Sequence, residues 1–229
     1  MFARWRSIQK QQNHLLPHIE NEAARAYLST ALPDKNTPIN EVEFLSLDFE
    51  TTGLNAKREA ILSMGYMDYR GGVISLKSSK YEVICLQRAL DEKSVVIHQI
   101  TDDRMKAGVP LTDALDRLLM AMSGKVLLVH YATIEREFLE AATKRLYGKA
   151  LPFMMVDTML IEKRKLDCSH KPIGSNQLRL ANLRKQYHLP RYGAHNALED
   201  AIATTELFMA QLAQREQRNE GMKLGDILC

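Results

Sequence analysis

The spacing of apolar residues switches from helical to alternating close to residue 43. Within residues 45–50 every second side chain is apolar, and the intervening positions are Ser46, Asp48 and Glu50. Such alternation predicts a strand with one buried face and one polar face. Arg70-Gly71-Gly72 is typical of a tight turn between two strands of a hairpin. Three further apolar runs complete the predicted meander: residues 61–69, 73–76 and 81–86.

Beyond this meander, amphipathic segments alternate with short apolar ones. The amphipathic segments predict helices, and we expect Thr133 to cap one of them and Gly148 to end it. The short apolar segments are typical of buried central strands. Predicted helices lie at 110–122, 133–148, from 157 onward, 177–188 and 196–217, and predicted strands at 126–129 and 153–156. This order indicates a single α/β domain, with a mixed sheet and helices on its faces.

Residues 1–40 have a different pattern from the rest of the chain. Residues 19–28 predict a helix, and residues 32–38 contain two prolines, which is typical of a linker. We therefore divide the chain into an N-terminal helical arm and linker (1–40), a main domain (41–217) and a C-terminal tail (218–229). The arm is expected to pack on the main domain, and docking of a partner protein is the alternative.

Composition excludes several classes of protein. The chain has 229 residues, of which 45% are hydrophobic and 26% charged, and this profile excludes disorder over most of its length. The net charge of +3 permits a nucleic-acid partner without requiring one. No segment approaches the roughly 18 consecutive apolar residues of a membrane span, so we expect no membrane contact. Three scattered cysteines, Cys85, Cys168 and Cys229, are expected in a reduced cytoplasmic protein.

Two acids on the first strand are the first candidates for chemistry. Asp48 and Glu50 leave the same face of the strand, about 6.6 Å apart along it. Neighbouring carboxylates repel each other unless a cation or a function holds them together. A solvated strand face is the alternative interpretation of this pair.

Three residues later in the chain are expected to join this pair. Asp200 shares the inward face of the last helix, His195 lies where that helix begins, and Glu135 follows a buried strand on the rim of an apolar helix face. For Asp200 the alternative is an acid that only stabilises the helix N-terminus. For His195 the alternative is a structural role only.

These side chains together indicate metal-dependent phosphoryl chemistry. Carboxylate oxygens suit Mg²⁺ or Mn²⁺ better than zinc. We expect Asp48, Glu50, Glu135 and Asp200 to hold two such ions, which stabilise the attacking and leaving oxygens of an in-line displacement. His195 is the candidate general base, because the ordinary pKa of imidazole lies near neutrality.

The same residues resemble the motifs of a known family, the DnaQ-like (DEDDh) 3′–5′ exonucleases, a superfamily that includes the proofreading subunit epsilon of the bacterial replicase. The similarity spans roughly residues 42–212. Five segments carry it: Phe44–Leu54 with its Asp-Phe-Glu-Thr-Thr-Gly, Ile97–Asp102 with Gln99 in place of glycine, Val129–Leu139, Val156–Thr158, and Ala194–Ala201 with the His-to-Asp spacing of the "h" type.

The resemblance implies a ribonuclease-H-like sheet flanked by helices, two divalent ions and release of 5′-mononucleotides from a 3′ end. It also implies that Thr51, Thr52 and Leu54 line the pocket of the terminal nucleotide, with His98 near it. The implied partner is a single-stranded DNA or RNA 3′ end. A DNA polymerase or a regulatory subunit bound through residues 1–40 is a further hypothesis.

One departure from the family pattern concerns the second motif. Where the family has Asp, this chain has Glu135. Where the family has the Asn of a preceding His-Asn pair, this chain has Tyr131. Glutamate keeps the charge and the oxygens but adds a methylene group. The alternative to an active enzyme is therefore a catalytically impaired module that binds nucleic acid or serves as an adaptor.

Overall fold

The fold is a mixed sheet covered by helices on both faces. The computed structural model describes residues 2–86, 102–168, 174, 176–193, 196–216 and 221–229. The helices in these ranges are α1 (Phe2–Leu15), α2 (Glu22–Ser29), α3 (Asp102–Lys106), α4 (Leu111–Met122), α5 (Thr133–Tyr147), α6 (Thr158–Cys168), α7 (Leu180–Gln186) and α8 (Ala197–Glu216), with short 3-10 turns at Leu16–His18, Ile39–Glu41 and Leu224–Asp226. The strands are β1 (Phe44–Thr51), β2 (Ile61–Arg70), β3 (Val73–Val83), β4 (Val126–Val129) and β5 (Met155–Asp157).

The five strands form one sheet in the order β3-β2-β1-β4-β5. The pairs β1–β2 and β2–β3 are antiparallel, whereas β1–β4 and β4–β5 are parallel. The predicted α/β fold with a mixed sheet is confirmed. Because β1 lies at the centre and β4 runs parallel to it, the carboxyl ends of these two strands open at the same edge of the sheet.

The hairpin is confirmed, but the predicted division after it is wrong. Gly71 and Gly72 adopt φ of 55° and 83°, the left-handed conformation that a two-residue turn requires. The sequence predicts separate strands at 73–76 and 81–86, whereas the structure has one continuous strand, β3, which ends at Val83. Its polar middle is tolerated because β3 lies at the edge of the sheet, and the hydroxyl of Ser78 accepts the backbone N–H of Asp68 at a local irregularity.

Alternation along β1 divides the core into two clusters. Leu45, Leu47 and Phe49 pack with α2, α4 and α5 on one face of the sheet. Phe44 packs on the other face with Phe208 of α8, with ring centroids 5.4 Å apart. The polar residues of β1 have the same parity as Phe44, so they face α8.

The start of α5 differs from the prediction in its cap. Thr133 is the first helical residue, and Ala132 occupies the cap position without a side-chain hydrogen bond. Thr133 therefore does not cap the helix. The side chain of Asp157 accepts the backbone N–H of Ala132, at the cap position itself. The predicted end at Gly148 is confirmed, with a φ of 77°.

Both end segments contribute side chains to the core. Tyr27 and Leu28 of α2 are buried against α4, and the hydroxyl of Tyr27 donates to the carbonyl oxygen of Pro152 at 2.7 Å. Near the C-terminus, Leu224 and Ile227 are buried in the cluster on the α8 face. The boundaries at residues 40 and 217 stay predictions, and any test of them must account for this packing.

Two further observations concern the helices and the cysteines. None of the helices in the ranges given above is long and apolar enough to cross a bilayer. Cys85, Cys168 and Cys229 all lie in these ranges and form no disulfide. The cytoplasmic location stays a prediction.

Candidate functional site

The polar face of β1 is positioned by its packing against α8. The hydroxyl of Ser46 donates to the backbone carbonyl of Ala201 at 2.8 Å, which fixes the distance between strand and helix. Asp48 and Glu50 follow at two-residue intervals on the same face. Their side chains therefore face the first turns of α8, where Asp200 lies.

Gly65 permits the close approach of α8. This glycine of β2 is paired with Asp48 of β1. A Cβ atom added to Gly65 would overlap the backbone nitrogen of Leu198 and the carbonyl group of Ala197. The start of α8 thus rests directly on the strand next to Asp48, which brings Asp200 to the same place.

Three of the predicted ligands come together. Oxygen atoms of Asp48, Glu50 and Asp200 all lie within 4.8 Å of one another. Glu50 is buried, and Asp48 and Asp200 are partly buried. Burial holds the pKa of Asp48 well above its usual range, and the nearby charges of Glu135, Asp200 and Glu50 raise it further.

Glu135 lies beside this group but outside the three that meet within 4.8 Å. It sits in the first turn of α5 and is 3% exposed. Its Oε2 is buried and has no hydrogen-bond partner among the residues that the structure describes. Burial raises the pKa of Glu135 from its ordinary 4.5 to about 8, and the charge of Asp157 acts in the same direction.

This donor set fits divalent cations. Burial and repulsion by neighbouring acids disfavour the charged forms of Asp48 and Glu135, as the raised pKa values of these two groups indicate. A bound cation would supply the missing positive charge and a partner for the orphaned oxygen of Glu135. The ligands offered are all oxygens, which suit Mg²⁺ or Mn²⁺.

The residues predicted to bind the terminal nucleotide lie at the end of β1 and in the turn that follows it. The hydroxyl of Thr51 donates to the carbonyl oxygen of Gly53 at 2.8 Å. The hydroxyl of Thr52 donates to the carboxylate of Glu59 and accepts the N–H of Ala60 at 3.0 Å. Both threonines therefore hold the turn in shape. Leu54 is 75% exposed at its tip.

Two predicted residues, His195 and His98, lie outside the described residues. The residue that follows His195 is described, and its role is clear. Oδ1 of Asn196 accepts the backbone N–H groups of Leu198 and Glu199 at 3.1 and 3.2 Å. Asn196 thus caps the helix that carries Asp200.

Sequence reasoning missed three residues that shape the site. Gly65 had a readable signal, since a glycine inside a strand marks a close backbone approach. His130 had none, and its two ring nitrogens are bonded to the hydroxyl of Thr158 and to the carbonyl of Leu178, at 2.8 and 3.0 Å. Burial lowers the pKa of His130, although Asp157 opposes this shift. The third residue is Asp157. Its role had no signal in the sequence, because its contacts depend on how the ends of β4 and β5 meet.

Comparison with known proteins agrees with this geometry. The RNase_T family model, described as an exonuclease, matches residues 45–208. The chain is 30% identical over 179 residues to a DNA polymerase III subunit epsilon of Treponema pallidum. The aligned region covers 78% of this chain and 80% of that protein.

Solved structures of low sequence identity share the fold. The nuclease domain of 3′hExo, a DEDDh family member solved with bound rAMP, superposes with a TM-score of 0.62 at 14% identity, over 83% of this chain and 97% of that chain. E. coli Exonuclease I in complex with a 5cy-dT13 oligonucleotide gives a TM-score of 0.62 at 15% identity, over 81% of this chain and 42% of that chain. The sheet and its helices are thus those of known nucleases.

Proposed function

The chain belongs to the RNase_T exonuclease family, and on this premise we propose that it shortens single-stranded nucleic acid from the 3′ end. The products are 5′-mononucleotides. DNA is favoured as the substrate because the relative at 30% identity is a subunit of a DNA polymerase. The same relative supports a cytoplasmic location.

A single observation supports this proposal more than any other. The oxygens of Asp48 and Glu50 on β1 converge within 4.8 Å with those of Asp200, which lies far along the chain on α8. A module that only bound nucleic acid would need no such group, because carboxylates repel phosphates. The retained acids therefore favour catalysis over the adaptor alternative.

In this proposal Asp48, Glu50, Glu135 and Asp200 hold two divalent cations, Mg²⁺ or Mn²⁺. The chemistry that these ions supply when bound is stabilisation of charge on the attacking and leaving oxygens of the phosphoryl group. His195 accepts a proton from the attacking water, since the ordinary pKa of imidazole suits a base near neutral pH.

The turn after β1 receives the terminal nucleotide. Leu54 is an apolar side chain with 75% exposure, and in this proposal it contacts the base or sugar at the 3′ end. Thr51 and Thr52 hold this turn through their hydroxyls, and we propose that they line the pocket of the terminal nucleotide with Leu54. The proposed contact of His98 rests on the family resemblance alone.

The proposal is tested with 5′-labelled single-stranded DNA and RNA oligonucleotides of one sequence. Incubation with Mg²⁺ or Mn²⁺ should give a ladder that shortens from the 3′ end, and EDTA should abolish it because the ligands are all carboxylates. Chromatography of the products should yield 5′-mononucleotides.

A circular single strand of the same sequence is the matched control, because it has no end. Cleavage of the circle would contradict an exonuclease. Binding of the linear strand without shortening, under either metal, would support the impaired binding module instead.

A polymerase or regulatory subunit bound through the N-terminal arm is a second part of the proposal, supported by the replicase relative. Deleting residues 1–40 is not a clean test, because Tyr27 and Leu28 belong to the core. Lys10 and His14 are exposed on α1, and replacing both with glutamate leaves the core intact. Loss of co-purification with a replicative polymerase subunit is the expected result, and retention would contradict docking on this face.

A further inference from the structure

One buried carboxylate connects the starts of two helices. Asp157, at the end of β5, is 5% exposed. Its Oδ1 accepts the backbone N–H groups of Met159 at 2.9 Å and Leu160 at 3.3 Å, in the first turn of α6. The same oxygen accepts the N–H of Tyr131 at 3.0 Å, and Oδ2 accepts that of Ala132 at 3.0 Å. Asp157 therefore ties the turn before α5 to the first turn of α6.

That turn has an unfavourable backbone conformation. Tyr131 has a φ of 73°, in the left-handed region that disfavours residues with a bulky side chain. Tyr131 is 45% exposed, so burial contributes little to holding it. The backbone N–H groups of Tyr131 and Ala132 donate to Asp157, and these two hydrogen bonds help to keep the turn in place.

The turn also sets the position of Glu135. Glu135 follows Ala132 by three residues, in the first turn of α5, so a change in the turn moves its carboxylate. The charge of Asp157 contributes to the raised pKa of Glu135, which indicates that the two side chains are close. Thr158, the residue after Asp157, is hydrogen-bonded through its hydroxyl to His130. This bond holds the residue that precedes Tyr131 in the chain.

We propose that Asp157 is a positioning residue that fixes the Tyr131–Ala132 turn and thereby holds Glu135 in place to bind a divalent cation. The assignment rests on the proposed function, since it gives Glu135 a metal to bind. Residues that orient metal ligands from behind typically contribute about 10- to 100-fold to metal affinity or activity.

The test is the variant Asp157→Asn, measured by Mn²⁺ binding in a calorimeter and by the Mn²⁺ concentration that gives half-maximal hydrolysis. An amide replaces one acceptor oxygen by an N–H donor, so at least one backbone N–H in this cluster loses its partner. We expect both the dissociation constant and the half-maximal concentration to rise by roughly 10- to 100-fold.

The matched control is Asn21→Ala, which removes the helix cap that Asn21 provides for the N–H of Ala24 in α2. It destabilises the protein through the same kind of bond but lies in the arm, so Mn²⁺ affinity should not change. If Asp157→Asn does not fold, Asp157→Ser replaces it, because a serine hydroxyl still caps α6.

Rescue distinguishes positioning from a merely structural role. Tyr131→Asn lowers the cost of the left-handed conformation, and in the Asp157→Asn background it should recover roughly fivefold in Mn²⁺ affinity, more than it changes the parent protein. Unchanged Mn²⁺ affinity in Asp157→Asn, or equal effects of Tyr131→Asn in both backgrounds, would overturn the assignment. Weakened Mn²⁺ binding in a protein whose parent hydrolyses no nucleic acid would support positioning and refute the proposed function.

Discussion

Gly65→Ala tests the contact that brings Asp200 to Asp48. The added Cβ would lie closer than 3.0 Å to backbone atoms of Ala197 and Leu198. Non-bonded carbon contacts are comfortable only at about 3.5–4.0 Å, so strand and helix must separate by on the order of 1 Å.

The strand has little freedom to move, because β2 is paired with β1 on one side and β3 on the other. The start of α8 must therefore shift, and Asp200 shifts with it. A displacement of about 1 Å in a catalytic group can cost roughly 10²-fold in rate, and overpacking costs about 1–3 kcal/mol of stability.

The assay compares the initial rate of oligonucleotide shortening and the melting temperature of Gly65→Ala with those of Gly221→Ala. An added Cβ at Gly221 meets no atom within 4 Å. We expect Gly221→Ala to match the parent and Gly65→Ala to lose about two orders of magnitude in rate. A folded Gly65→Ala protein with the parent's rate would refute the argument that this contact positions Asp200.

The remaining predictions concern the acids and the base. Without metal, the free energy of unfolding should fall by up to about 4 kcal/mol as the pH rises from 4.5 to 8, because the folded state keeps the proton of Glu135 that the unfolded state releases. Melting curves with and without Mg²⁺ check this, and an equally steep profile in Glu135→Gln would contradict it. Glu135→Gln should disable hydrolysis, since it removes the charge and keeps the shape, whereas Glu135→Asp should keep partial activity with a changed Mg²⁺ to Mn²⁺ ratio. A Glu135→Gln rate equal to the parent's would place the fourth ligand elsewhere. His195→Ala should lower the rate by roughly 10²–10⁴-fold while calorimetry shows Mn²⁺ binding intact, and an unchanged rate would leave His195 with a structural role only.

Local patterns predict the strand that carries the first two acids. A period of two allows only one assignment of faces once Leu45, Leu47 and Phe49 are buried, so Asp48 and Glu50 must share the other face. The helical phase of Asp200 follows in the same way from its apolar neighbours. The separation of Glu135 from the other three acids does not follow, because it depends on the turn before α5.

Contacts between distant segments account for the rest. The continuity of β3 depends on its position at the edge of the sheet, where polar residues in the middle of a strand are tolerated. The strand order cannot be read from the sequence alone. The cap on the turn before α5 comes from Asp157, 25 residues after Ala132. Gly65 could have been identified from its position inside an apolar run, but its partner in α8 could not.

The central claim is that the carboxylates on β1 and α8 are the active site of a 3′–5′ exonuclease. The most direct measurement is a time course on 5′-labelled single-stranded DNA with Mn²⁺, comparing the parent protein with Asp200→Asn. The claim predicts stepwise shortening from the 3′ end by the parent and none by the variant, with the variant's melting temperature at or above the parent's in EDTA, because one of the mutually repelling charges is gone. Equal shortening by both proteins, or a parent that leaves the strand intact, would contradict it.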